Sequence, residues 1–269
     1  MKRILSVILA LALALSLFAA CSTPAAAPEA EASLLGDDGV FVVGFDQDFP
    51  PYGYVGDDGE FTGFDIECAK ALAERLGWEI RLQPIDWDAK DNELDSGAID
   101  CIWNGFTING REDGYEWTQP YVDNSQVIVV KADSGITDYA GLAGKVVVTQ
   151  ADSSALSAIN DNEELKSSFA ELVEVAEYNT AMMDLEQGAV DAVAMDVGVA
   201  KFQIADREDE FVILDEVLMA EQYGIGFKLG NTALRDAVEA EFVKMAEDGT
   251  VAEISKTFFD GEDVCIIGK

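Results

Sequence analysis

Phe41-Val42-Val43-Gly44-Phe45 and then residues 61–103, FTGFDIECAKALAERLGWEIRLQPIDWDAKDNELDSGAIDCIW, decide the fold class. The apolar run at 41–45 has the length of a strand. Residues 46–58, with Phe49-Pro50-Pro51-Tyr52, follow as loop and turn, since paired prolines suit neither a ladder nor a helix. Asp65 is placed to cap a helix running to Arg75, with Ile66, Ala69, Leu72, Ala73 and Leu76 on one face and Gly77 after its end. Glu79–Ile85 alternates as a strand, residues 88–97 carry a weaker helical pattern, and Ile99–Trp103 reads as another strand. Strand, helix, strand, helix, strand is the order of a parallel sheet covered on both faces.

The same alternation continues toward the C-terminus. Strands are expected at Gln126–Lys131, Lys145–Val148, Leu172–Tyr178, Val190–Met195 and Phe211–Asp215. Helices are expected from Ser153 or Ser154, at Ala181–Gln187 before Gly188, and at Val197–Ala205. Gly224–Phe227 is apolar and extended, and helices at about 231–247 and 250–259 close the chain. Two α/β units result, with a tail free to return to the first.

Toward the N-terminus, Lys2 and Arg3 precede an apolar run, Ile4–Ala20, that ends at Cys21. A basic start, a short apolar core and small residues before a break describe a secretory signal. The run also approaches the length of a minimal transmembrane helix. Phe18-Ala19-Ala20-Cys21 resembles a bacterial lipobox, with Phe18 a less usual residue at its place. In that motif the cysteine is acylated and becomes the new N-terminus, and two or more acyl chains hold a protein stably at a membrane. The expected divisions are therefore a lipoprotein signal peptide at 1–20 and a lipidated Cys21 with a flexible Ala-, Pro-, Glu- and Ser-rich tether to 35.

Composition excludes several function classes. The 269 residues carry 52 acidic and 17 basic side chains, a net of −35, and loss of Lys2 and Arg3 with the leader would make it −37 over 249 residues. Such a surface repels nucleic acid and anionic lipid. The chain has no histidine, which removes Ser-His-Asp and Cys-His catalysis and His-ligated zinc. Besides Cys21 there are Cys68, Cys101 and Cys265, with no CxxC spacing, so neither a metal site nor a cofactor is implied. Export permits a disulfide, but three cysteines leave at least one unpaired.

Several segments together resemble the solute-binding proteins of polar amino acid ABC importers, in their lipid-anchored form. They are GFDQDFPPYGYV, GEFTGFDIECAKALAERLG, LDSGAIDCIWNGFTINGRED, EWTQPY, LAGKVVVTQADSSA, LEQGAVDAVAMD and YGIGFKLGNTALRDAVEAEF, spread over residues 38–260. The resemblance implies a type II periplasmic-binding-protein-like fold, two α/β lobes joined by two hinge strands. One lobe is expected at 36–124 plus 223–269 and the other at 125–222, with ligand in the cleft beyond the strand ends. It implies an amino acid ligand, a membrane permease with its ATPase as partners, and a monomer.

It also implies roles for residues. A zwitterion enclosed away from water needs a partner for each charge. Arg111 stands where the family holds the carboxylate, and a guanidinium can do so with two parallel bonds. The spacing from Thr107 to Arg111 is one residue shorter than usual. Asp196 stands where the family binds the amine, although it could equally cap the helix after it. Thr107, Gly105 and Asn104 are expected to add contacts, with Asn104 replacing a residue that is commonly small. Ser153 and Ser154 match a helix start that receives the carboxylate. Asp152 departs from the usual Gly before them, and is read as a helix cap before a partner for a positive side chain. Phe49 and Trp87 match positions that sandwich the ligand side chain, the bland alternative being core packing. Asp46 is expected to reach the far end of that side chain, Tyr52 to shape its loop, and Trp103 to lie in the core.

The leading function is capture of a neutral or basic polar L-amino acid and its delivery to the permease from outside the membrane. The alternatives are an enzyme resembling cyclohexadienyl dehydratase, and an amino acid sensor or adhesin on the same fold. No second catalytic residue stands out for the enzyme, which would need a group of tuned pKa in the cleft. Asp46 and Asp152, if both pointed inward, would make the side-chain pocket negative and disfavour acidic ligands.

Overall fold

The computed structural model describes residues 34–36 and 39–269. The expected leader, Cys21 and nearly all of the tether lie outside the described residues. Among those described, no helix is long and apolar enough to cross a membrane.

The strands, in order, are β1 (Val40–Phe45), β2 (Asp48–Phe49), β3 (Gly53–Val55), β4 (Phe61–Thr62), β5 (Glu79–Pro84), β6 (Cys101–Ile102) and β7 (Glu116–Trp117). They continue with β8 (Val122–Lys131), β9 (Val146–Gln150), β10 (Glu171–Val175), β11 (Ala192–Asp196), β12 (Phe211–Ile213), β13 (Met219–Tyr223) and β14 (Gly226–Phe227). The α-helices are α1 (Phe64–Leu76), α2 (Lys90–Ser96), α3 (Ser154–Asp161), α4 (Glu163–Ser168), α5 (Tyr178–Gln187), α6 (Val197–Ile204), α7 (Thr232–Glu247) and α8 (Thr250–Phe258). Gly77, Gly97 and Gly188 end α1, α2 and α5 in the left-handed conformation that a side chain would resist.

Two main sheets form. The first has the order β5-β1-β6-β14-β7 and the second β10-β9-β11-β8-β12, with β13 also paired to β8. The parallel expectation holds for β1 with β5 and β6, and for β9 with β10 and β11. It fails for β14, β7, β8, β12 and β13, which pair antiparallel. The reason is topological. β8 carries the chain from the first sheet into the second, β13 runs back beside it, and β14 then inserts between β6 and β7. The closing helices α7 and α8 pack on α1, and Phe242 of α7 meets Trp103 edge-on at 5.2 Å and Tyr121 at 5.6 Å. The tail thus completes the first α/β unit.

Two local expectations need correcting. Asp65 does not cap α1: Gly63 holds that place, and Asp65 lies in the first turn, wholly buried. Its carboxyl instead accepts from the Gly105 amide at 2.6 Å and from the Tyr121 hydroxyl at 2.9 Å. The strand expected to run to Tyr178 stops at Val175, and Tyr178 opens α5. Cys68, Cys101 and Cys265 are all buried free thiols.

Candidate functional site

The carboxyl ends of the central strands of both sheets face one narrow cavity. Phe49, Trp87, Asn104, Gly105 and Thr107 line it from the first sheet's side, and Gln150, Ser153, Ser154 and Asp196 from the second's. Eight of the ten residues expected to meet ligand are thus brought together. Arg111 and Asp46 lie outside the lining, Arg111 bonded to Ser154 and Asp46 to Gln150 of it.

Local structure explains the placement. Trp103-Asn104-Gly105 leaves β6 in a tight bend in which Gly105 has φ 53°. A Cβ there would lie 2.9 Å from a Phe49 ring carbon and 3.1 Å from Tyr223, so only glycine lets the chain pass this close. The Asp65 carboxyl pins the bend through the Gly105 amide. Thr107 is held by an antiparallel bridge to Tyr223 of β13.

Arg111 reaches across the gap between the two sheets' units. Its guanidinium donates to Ser154 Oγ at 2.8 Å and to the Asp152 carbonyl at 3.1 Å, and lies 5.4 Å from the Phe106 ring centre. Asp196, at the end of β11, is 5 % exposed. It begins α6 but its side chain makes no capping bond. Its Oδ1 accepts from Asn124 Nδ2 at 2.9 Å, from Gln126 Nε2 at 2.7 Å and from the Tyr223 hydroxyl. Burial raises its pKa, and the bonds from Tyr223 and Gln126 oppose the rise. Asp196 therefore lines the cavity from one chain unit, while the Arg111 guanidinium of the other unit bonds Ser154 of the same lining.

Asp152 does not cap α3. Ser153 does, accepting from Leu156 N at 3.1 Å, while Asp152 pairs with the buried Lys90 of α2 across the cleft. Asp152 has φ 55°, a left-handed conformation that aspartate tolerates better than most side chains. Asp46 likewise turns away from the cavity. Its Oδ2 accepts from Gln150 Nε2 at 2.6 Å and its Oδ1 from the Asp48 amide at 2.8 Å. Burial raises its pKa to about 6 against the pull of those two bonds. The pocket is therefore not made negative by these two residues. Asp48 accepts from Asn179 Nδ2 at 2.8 Å, another bond from one unit to the other.

Asn104 is the unsatisfied member of the lining. It is 1 % exposed, and neither its Oδ1 nor its Nδ2 has a hydrogen-bond partner. Leaving a buried amide unpaired costs about 1–3 kcal/mol per group. Phe49 and Trp87 both face the cavity as expected, Phe49 among Tyr52 and Tyr178, and Trp87 edge-on to Phe106 at 5.4 Å. Trp103 is fully buried, in the core.

Sequence reasoning missed Gln150, Lys90, Asp65, Asn124, Gln126, Tyr223 and Glu221. A signal existed for two of them. Asn124 and Gln126 are polar residues two apart in β8, so they share one face, and both are buried.

Known proteins place this arrangement. A model of the bacterial extracellular solute-binding proteins, family 3, matches residues 41–261. The chain is 31% identical over 258 residues to the L-cystine-binding protein TcyJ of Escherichia coli (strain K12), covering 94% of each chain. It is 29% identical to the ABC transporter glutamine-binding protein GlnH of Bacillus subtilis (strain 168), covering 95% of this chain and 97% of that one. A solved ABC uptake transporter substrate binding protein from Streptococcus pneumoniae with bound histidine matches with a TM-score of 0.81 at 33% identity, covering 85% of this chain and 95% of that one. These relatives are named as binding proteins, and nothing among them favours the dehydratase alternative. With its two open α/β sheets in the type II periplasmic-binding-protein arrangement, the chain belongs to the bacterial extracellular solute-binding proteins of family 3.

Proposed function

We propose that the chain is the extracytoplasmic, substrate-binding component of an ABC importer, capturing a polar, neutral or basic L-amino acid and passing it to a membrane permease and its ATPase. The observation that carries this reading is that Asp196 and Ser154 line one aromatic-walled cavity, and that Ser154 accepts from the Arg111 guanidinium of the other unit. A free amino acid has a carboxylate for Arg111 and an ammonium for Asp196, and joins the two units by its own length. A ligand that meets both units only when they are together favours the closed arrangement. Ser153 and Ser154 at the start of α3, with Thr107 and the Gly105 backbone, complete the polar contacts, and Phe49 and Trp87 hold the side chain.

Between neutral and basic side chains, the pocket favours neutral. Asp152 is neutralised by Lys90, Asp46 is held by Gln150, and Asn104 offers one donor and one acceptor with nothing to bind. A side chain that accepts and donates satisfies it, and an apolar one leaves it unpaired. The glutamine named for one relative is of that polar, uncharged kind.

The lobes are taken as 36–124 plus 223–269 and 125–222, with β8 and β13 as hinges and Cys21 as the lipid anchor of a monomer. The direct test is a thermal-shift screen of the delipidated protein against the twenty L-amino acids and L-cystine. A ligand at a hundred times its dissociation constant stabilises by about 2.7 kcal/mol. No shift from any of them would remove the reading.

A further inference from the structure

Asp196 is not the only buried carboxyl at this end of the cleft. Glu221 of β13 is 3 % exposed. It pairs in register with Asn124 of β8, while Gln126 of β8 stands opposite Asp196 of β11. Because Asn124 and Gln126 share a face, each side-chain amide reaches both carboxyls. Asn124 Nδ2 donates to Asp196 Oδ1 at 2.9 Å and to Glu221 Oε1 at 2.7 Å, and Gln126 Nε2 donates to both at 2.7 Å. The two carboxyl groups are thus bridged by the same two amides.

Among the described residues, those bonded to the two carboxyls supply no compensating charge. β8 contributes two neutral amides, β13 the Tyr223 hydroxyl, α5 the hydroxyl of Tyr178, and the 46–58 loop that of Tyr52, itself under the influence of Asp65. Among the described residues, no lysine or arginine bonds either carboxyl. Glu221 Oε2 and Gln126 Oε1 are buried without any donor directed at them. Two neighbouring buried carboxylates bridged only by neutral amides resist double ionisation without a cation, so the pair retains a proton. That proton also supplies the donor the network lacks.

We propose that Asp196 and Glu221 form a single amine subsite, which holds one proton when empty and exchanges it for the ligand's ammonium on binding. The inference rests on the amino acid reading above. The balance is simple. The ammonium enters with its three protons, the pair's proton leaves to solvent, and no covalent bond changes. The two titrate as one pair, and Asp196 is the member that lines the cavity. Burial, with the charge of Asp196 second, pushes Glu221 up to about 8, so at neutral pH the empty pair is mostly protonated. A unit positive charge about 4 Å away, at an effective dielectric of about 20, shifts a proton equilibrium by roughly a thousandfold. That suffices to expel the proton at pH 7.

The test is calorimetry on the full chain at pH 7 in buffers of different ionisation enthalpy. The probe is whichever of the twenty L-amino acids or L-cystine gives the largest thermal shift. About one proton should be released per ligand bound, and the dissociation constant should rise about tenfold for each pH unit lowered between 8 and 6. Glu221→Gln, which mimics the protonated form, should bind with no proton release and a flat profile over that range. Wild-type binding without proton release, or release undiminished in Glu221→Gln, would overturn the proposal. Should that variant not fold, the wild-type proton count decides alone. Absence of binding by every probe would instead overturn the amino acid reading, and this inference with it.

Discussion

Replacing Arg111 by alanine isolates one end of the proposed zwitterion bridge. The guanidinium gives one N–H to Ser154 Oγ at 2.8 Å and another to the Asp152 carbonyl at 3.1 Å. A ligand carboxylate would take over such donors in charge-assisted form, worth about 1.5–3 kcal/mol each. Removing one partner of a buried, hydrogen-bonded charge pair costs about 2–5 kcal/mol. At about 1.4 kcal/mol per tenfold, affinity should fall about 30-fold to several thousand-fold. Arg111→Lys keeps the charge but loses the planar fork, so it should fall between wild type and Arg111→Ala. Asp196→Ala should lose a similar amount from the other end. The assay is calorimetry with the best-binding amino acid, its α-amide and its N-acetyl form, after circular dichroism has confirmed folding. The α-amide should lose affinity mainly when Arg111 is present, and the N-acetyl form mainly when Asp196 is present. Near-wild-type affinity in either folded alanine variant would refute the bridge and, with it, most of the case for an amino acid ligand.

Four further outcomes follow from the same geometry. Gly105→Ala places a methyl 2.9 Å from the Phe49 ring in a left-handed backbone, so it should cost at least about 1–2 kcal/mol, lower Tm by several degrees and weaken binding; an unchanged melting curve would contradict it. Asp152→Ala leaves the buried Lys90 ammonium without its partner across the cleft, which costs more than the about 0–1 kcal/mol of an exposed pair, so affinity should fall more than about fivefold, with a larger radius of gyration in ligand-free scattering. Burial raises Asp46 to about 6 and Asp65 to about 7, above their unfolded values near 3.9, so the folded state binds more protons and these groups' contribution shrinks as pH rises from about 4 to 7. Tm should therefore rise on acidifying from pH 8 to 5, and a steady fall over that range in scanning fluorimetry would disprove the assignment. Finally, intact mass of the native protein should show a diacylglyceryl-modified chain beginning at Cys21; a product cut elsewhere would rule out the anchor.

The sequence was most legible where a pattern is local. The helix face of Ile66, Ala69, Leu72 and Ala73 needs only its 3.6-residue period, and all four are buried in α1. Gly77 and Gly188 stop helices for a reason contained in their own backbone. Eight residues expected around ligand do line one cavity, because each sits at a strand or helix end whose position the alternation of elements sets. What local pattern could not decide was the partner of each charge. Asp152 had a capping role available to it and Asp65 another, yet each meets a group more than thirty residues away in the chain, Lys90 and Gly105. Asp46 meets Gln150 only because the two units close on one another. Glu221 carried no signal of its own. It lies beside Asp196 because β13 runs back along β8 in one particular register, placing Asn124 and Gln126 between the carboxyls. Strand register and closure bring together residues from distant parts of the chain. Burial there removes the water that would otherwise have made each carboxylate independent of the other.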